Sequence, residues 1–181
     1  MAGNSMASKL RSFLKEHLNY SNVLFLTFLL ILFFMKYPEI KKNSEEQGMK
    51  VSTQFTFSEF LSNRQITFPN GNKIVVVFWA TWCGPCKVEL GRINNLISSK
   101  KINPMQVIAV SLDESTEPIS ETILKSKYEF QVIHDSDGKI GQFFKVAGTP
   151  TVLLIDETNT IHWRTTGISP SLELRILDFF K

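Results

Sequence analysis

The stretch Lys73–Leu90, KIVVVFWATWCGPCKVEL, decides how the rest of the chain is read. Its β-branched run, Ile74–Val77, lacks polar alternation and has the character of a strand buried on both faces. The run passes through Phe78-Trp79-Ala80 into Cys83-Gly84-Pro85-Cys86, and a helical pattern begins at Pro85. Cys83 then falls where the first helical N–H groups lack partners and the helix dipole is positive. That setting favours thiolate over thiol, and the thiolate is the nucleophile of disulfide exchange. Pro85 suits a first helical turn because its missing N–H would have no partner there. Cys86 lies one turn on, close enough to close a disulfide with Cys83. The spacing predicts a reactive pair.

Two blander explanations fit less well. A structural disulfide across two intervening residues would constrain little of the unfolded chain. A zinc site needs further ligands, and the chain holds two cysteines and three histidines, with His17, His134 and His162 scattered. No metal site is expected.

FWATWCGPCK resembles the active-site segment of the thioredoxin superfamily. VIAVSLDEST and FQVIHDSDGKIGQFFKVAGTPTVLLIDETNTIHWRTTG resemble one branch of it, the membrane-anchored TlpA/ResA-like thiol–disulfide oxidoreductases. The resemblance covers roughly residues 52–181. It implies a cis peptide between Thr149 and Pro150, facing the cysteine pair, where the Thr149 backbone could pair with an incoming polypeptide. Without it, Pro150 would read as an ordinary proline opening a strand. By the same resemblance Trp82, Gly84, Pro85, Thr149 and Pro150 form the client-binding surface.

Glu89 stands three residues after Cys86, on the helix face that otherwise carries Leu90, Ile93, Leu96 and Ile97. Desolvation there would raise the pKa of a carboxylate and make it a proton donor and acceptor for the buried thiol. Cytosolic-type thioredoxins place a buried Asp five residues before the Trp of the motif, where this chain has Val77. The TlpA/ResA-like branch implicates a Glu at the position of Glu89. The alternative is a surface Glu assisting the helix dipole.

The 181 residues allow one domain of about 130 residues plus an appendage. Hydrophobic content of 43% suffices for a core, and a net charge of +3 without a dense basic stretch excludes nucleic acid as a partner. Residues 1–19 form a short tail bearing Lys9, Arg11 and Lys15. Val23–Met35, VLFLTFLLILFFM, is almost unbroken, and Tyr20 and Tyr37 bracket it about 26 Å apart at helical rise. No small-x-small cleavage site follows in MKYPEIKK. Residues 20–37 are therefore expected to be a transmembrane signal anchor in the lipid bilayer, followed by a polar linker over 38–51. Lysine and arginine are balanced about the run, so the positive-inside rule sets no orientation. The resemblance implies a catalytic domain on the periplasmic side of a bacterial inner membrane.

Within 52–181, Thr53–Phe57 has strand character and a short helical stretch follows through Phe60-Leu61. Pro69-Asn70-Gly71-Asn72 is a turn. Gln106–Leu112 reads as a second buried parallel strand, Pro118–Lys127 as a crossover helix and Phe130–Ile133 as a short strand. Asp135-Ser136-Asp137-Gly138 imitates a calcium loop, but the twelfth position is Val146 where a Glu is needed, so it is read as a helix-capping turn. Thr151–Ile155 and Thr160–Arg164 make a hairpin, and a closing helix starts at Ser169-Pro170 with Ser169 as N-cap. The expected fold is α/β and thioredoxin-like, a central mixed β-sheet flanked by helices, with an N-terminal transmembrane helix.

The implied activity is thiol–disulfide exchange with extracytoplasmic cysteine-containing proteins, apocytochrome c among them, with reduction the favoured direction by resemblance. The pair would be reset by a membrane dithiol donor, because no flavin or nucleotide motif is present and the redox-active disulfide itself serves in place of a cofactor. A monomer is expected. Two other functions are compatible with the fold: a peroxiredoxin-like antioxidant enzyme, which lacks its Thr-x-x-Cys context here, and a tethered non-catalytic adaptor or chaperone.

Overall fold

The computed structural model describes residues 20–181, so the expected tail 1–19, with Lys9, Arg11, Lys15 and His17, lies outside the described residues. The first helix, α1, spans Tyr20–Glu46. It continues past Tyr37 and through Pro38 into the stretch read as a linker. Glu and Lys in residues 39–46 are good helix formers, so polarity without periodicity did not mean irregular backbone. Gly48, at φ 83°, lies in the turn beyond the helix.

The apolar side chains between Val23 and Met35 are exposed around α1. Among the described residues, no helix is long and apolar enough to cross a membrane. The chain divides into two compact units between Lys42 and Asn43.

In the second unit, residues 48–51 pair with the segment 159–161 farther along the chain. Gly48 and Val51 donate their N–H groups to the Ile161 and Asn159 carbonyls at 2.8 and 2.7 Å, and Val51 is buried. Strands β1 (Phe55–Ser58) and β2 (Gln65–Phe68) then form an antiparallel pair. The residues expected to be helical, Phe60-Leu61, are instead the turn between these strands. Asn63 N–H donates to the Glu59 carbonyl at 2.9 Å, a single turn that is not continued, and Phe60 N–H donates to the Val132 carbonyl at 2.7 Å. β2 was missed because its period-two pattern lasts only four residues.

Five further strands build the main sheet: β3 (Ile74–Trp79), β4 (Val107–Ser111), β5 (Gln131–His134), β6 (Thr151–Ile155) and β7 (Ile161–Thr166). Their order is β5-β4-β3-β6-β7, with β3, β4 and β5 parallel and β6 and β7 antiparallel additions. Helices α2 (Gly84–Ser98), α3 (Glu117–Ser126), α4 (Lys139–Phe143) and α5 (Leu172–Phe179) cover it.

β3 explains the layering. Successive side chains of a strand point to opposite faces. Val75, Val77 and Trp79 pack with Leu90 and Ile93 of α2, Ile119 and Ile123 of α3, and Ile176 of α5. Ile74, Val76 and Phe78 pack with Ile66 and Phe68 of β2, with Ile140 of α4 and with Phe144 just after it. All six β3 residues are buried, so the strand reads as a continuous apolar run. Full burial of each such side chain contributes about 1.5–3 kcal/mol, which makes β3 the least replaceable element of the fold. The thioredoxin-like α/β architecture is as the sequence predicts.

The start of the closing helix differs from expectation. α5 begins at Leu172 with Ser171 as N-cap, not Ser169. The Ser169 hydroxyl lies 3.3 Å from the Ser171 hydroxyl.

Candidate active site

Cys83 caps the N-terminus of α2, and its Sγ accepts the Cys86 N–H at 3.2 Å. The two cysteines form a disulfide. Cys83 keeps 5% exposure and Cys86 none, so Cys83 is the cysteine nearer the surface. Cys86 lies in the apolar cluster with Trp79, Ala80 and Leu90. Gly84 and Pro85 are exposed in the first turn, and Trp82 projects into solvent with 76% of its surface free.

The loop from β3 to α2 is pinned by Asp113, which follows β4. Its carboxylate accepts the Thr81 N–H at 3.0 Å, the Thr81 hydroxyl at 2.7 Å and the Ser111 hydroxyl at 2.8 Å. The Asp113 carbonyl in turn meets His134 Nε2 at 2.7 Å. Asp113 is buried, and these donors satisfy its charge. It was not singled out from sequence, because an Asp after a strand usually signals a turn.

β6 reaches the same end of the sheet. Phe78 of β3 stands opposite Thr151 of β6 in antiparallel register, so Pro150 lies where β3 runs toward the cysteine turn. The Thr149–Pro150 peptide is cis, as the resemblance implies; Phe68–Pro69 is a second cis peptide, not foreseen. The Pro150 carbonyl accepts the Gly167 N–H at 2.7 Å, tying the loop after β7 to this segment. Thr149, Pro150, Trp82, Gly84, Pro85 and Cys83 thus converge at one sheet end.

Glu89 is fully buried, which rules out a surface residue serving only the helix dipole. One carboxylate oxygen accepts the Ser169 N–H at 2.5 Å and the other faces Arg92 Nη1 at 3.0 Å. Arg92 also donates to the Ser169 carbonyl at 2.7 Å, the Pro170 carbonyl at 3.3 Å and the Glu173 carboxylate at 3.0 Å. Buried charge is costly unless paired and hydrogen-bonded, and Glu89 has both compensations. Arg92 was missed, although its i,i+3 spacing from Glu89 is the visible signal of a helical ion pair.

This arrangement can do sulfur exchange: a surface-facing sulfur at a helix N-terminus, a buried partner one turn on, and backbone acceptors and donors alongside. Comparison with known proteins agrees. The model of the AhpC/TSA family matches residues 61–164, more than half of the chain. The chain is 31% identical to the thiol-disulfide oxidoreductase ResA of Oceanobacillus iheyensis over 100 residues, which cover 55% of this chain and 52% of that protein. It therefore spans about half the length of that relative. A thioredoxin-like protein of Haemophilus influenzae is 28% identical over 95% of this chain and 96% of its own length. Among solved structures, one assigned as the thiol:disulfide interchange protein DsbE of Chlorobium tepidum has 28% identity. Its TM-score is 0.65, with 75% of this chain and 98% of that one covered. With a cysteine pair at the head of α2 and this sheet around it, the chain belongs to the AhpC/TSA family and is similar within it to the ResA-like thiol-disulfide oxidoreductases.

Proposed function

We propose that this protein is a membrane-tethered thiol–disulfide oxidoreductase that reduces disulfides in extracytoplasmic proteins. The observation that carries the chemistry is the Cys83–Cys86 disulfide at the N-terminus of α2, with Cys83 as N-cap and Cys86 buried. In the reduced protein, the Cys86 N–H and the helix dipole favour a Cys83 thiolate. That thiolate attacks one sulfur of a client disulfide. The other client sulfur leaves as thiolate and takes a proton from solvent. Cys86 then gives its proton to Glu89 and attacks Cys83 Sγ, expelling the second client thiolate, to which Glu89 passes that proton. The client gains two electrons and two protons, and the pair ends as the disulfide. Glu89 can serve because each carboxylate oxygen has a lone pair beyond its present hydrogen bond. A membrane dithiol donor returns two electrons to the pair.

The tether is α1. A helix apolar on all sides has no soluble partner face, and its exposed Val23–Met35 sleeve suits lipid. We place the domain on the periplasmic side of a bacterial inner membrane, with apocytochrome c and other exported cysteine proteins as clients. The support is the similarity to ResA and the stretch Tyr20–Tyr37.

The test is reduction of insulin disulfides by the full chain in detergent, regenerated with dithiothreitol, alongside alkylation trapping of the pair in cells. Catalysed insulin reduction and a pair held mostly reduced support the proposal. No catalysis, or function retained by the Cys83→Ser, Cys86→Ser double variant, would favour the adaptor. Peroxide consumption without insulin reduction would favour the peroxiredoxin-like enzyme. Recovery of the chain in the soluble fraction would overturn the tether.

A further inference from the structure

Ile168 is a large apolar side chain left 53% exposed in the loop between β7 and α5, beside the segment bearing Pro150. Both of its chain neighbours are held. Gly167 donates to the Pro150 carbonyl, and Ser169 donates to the buried Glu89 carboxylate of α2. One neighbour is therefore tied to the strand that carries the cis proline and the other to the helix that carries the cysteines.

Arg92 closes this arrangement. Its guanidinium reaches Glu89, the Ser169 and Pro170 carbonyls and Glu173, so it bridges α2, the loop and the first turn of α5. A planar fork with five donors can serve several acceptors at once, which a lysine ammonium on a flexible stem does less well. The side chain is itself three-quarters covered.

We propose that Arg92 is a positioning residue for polypeptide clients. By clamping Glu89 to Ser169 it sets the spacing between the cysteine helix and the Ile168 loop, the two walls between which an extended, partly apolar client segment must lie to present its disulfide to Cys83. This rests on the thiol–disulfide exchange proposed above. Arg92 touches neither sulfur, so whatever it does through Glu89 is common to all disulfides, and a further effect appears only with clients that need the walls.

The experiment compares two oxidants of the reduced full chain in detergent: insulin, a polypeptide disulfide, and glutathione disulfide, a small one. Arg92→Ala and Arg92→Lys are measured against the parent. For Arg92→Ala, kcat/KM toward insulin is expected to fall about tenfold or more, mainly through KM, because small misplacements of a binding surface carry penalties of that order. The loss with glutathione disulfide should be at least about tenfold smaller, since that disulfide shares with insulin only the resolving step at Glu89 and does not touch the walls. Arg92→Lys keeps a cation beside Glu89 but loses the fork, and should fall between the two. Equal losses with both disulfides, or no loss with either, would overturn the clamp. If Arg92→Ala does not fold, Arg92→Lys decides alone: an insulin-to-glutathione ratio equal to the parent's overturns the proposal. A parent inactive with both disulfides would instead refute the oxidoreductase function and leave a different pattern of failure.

Discussion

Ser169 donates its backbone N–H to the Glu89 carboxylate at 2.5 Å across a sequence separation of 80 residues. This bond and the Arg92 ion pair turn an acidic residue in a buried helix face into the tie between α2 and the loop before α5. Glu89→Ala leaves the guanidinium and the N–H without their acceptor and should cost about 3–5 kcal/mol in urea unfolding. Glu89→Gln keeps one oxygen for Ser169 and should cost less, about 1–3 kcal/mol. Both should slow Cys86 attack on the mixed disulfide near neutral pH, by at most about 10²–10⁴-fold. Stopped-flow resolution at the parent's rate in Glu89→Gln would place the proton acceptor elsewhere.

The unequal exposure of the two sulfurs predicts their division of labour. Cys86→Ser should accumulate mixed disulfides with clients, because Cys83 can attack but nothing resolves the product. Cys83→Ser should accumulate few, its remaining thiol being buried. Non-reducing gels of cells expressing each variant check this, and equal trapping would reverse the assignment.

Asp113 holds the turn that delivers Cys83. Asp113→Asn replaces one acceptor oxygen by a donor facing the Thr81 and Ser111 donors. The expected loss is about 1–3 kcal/mol of stability, together with slower insulin reduction as Thr81-Trp82 loosens. Unchanged values in both denaturation and insulin assays would show that the loop is held without Asp113.

Asp156 predicts part of the pH dependence of stability. Burial opposes its ionisation, but the Thr158 hydroxyl, the Thr160 and Thr158 N–H groups and the nearby His162 together lower its pKa below the ordinary carboxylate value. A pKa lower in the folded than in the unfolded chain adds stability that is fully present above about pH 4 and is lost as pH falls through the folded value. Asp156→Ala should therefore destabilise at neutral pH by about 1 kcal/mol and converge with the parent in acid. Parallel stability curves from pH 7 down to pH 2 would contradict this.

Much of the fold was open to the sequence because it depends on local signals. The apolar run Ile74–Val77 announced a central strand, the stripe from Leu90 to Ile97 announced the buried face of α2, and Asp156–Asn159 announced a hairpin turn. The chemistry of the cysteine pair was equally local, since strand, C-x-x-C and helix adjoin in one segment. Only the Thr149–Pro150 geometry needed a family resemblance, because most X–Pro bonds are trans.

What the sequence by itself determined was the redox pair and the elements that present it. Tertiary structure alone decided the rest of the site. Asp113 reaches Thr81 across 32 positions, Gly167 reaches Pro150 across the β6–β7 hairpin, and the Ser169 N–H meets Glu89 across 80 positions. It also decided that Phe60-Leu61 is a turn and that residues 48–51 join the domain. The physical reason is common to all of these. A buried polar group must find a partner wherever the fold brings one within hydrogen-bond reach, and that proximity is a property of packed strands and helices, which no window of sequence contains.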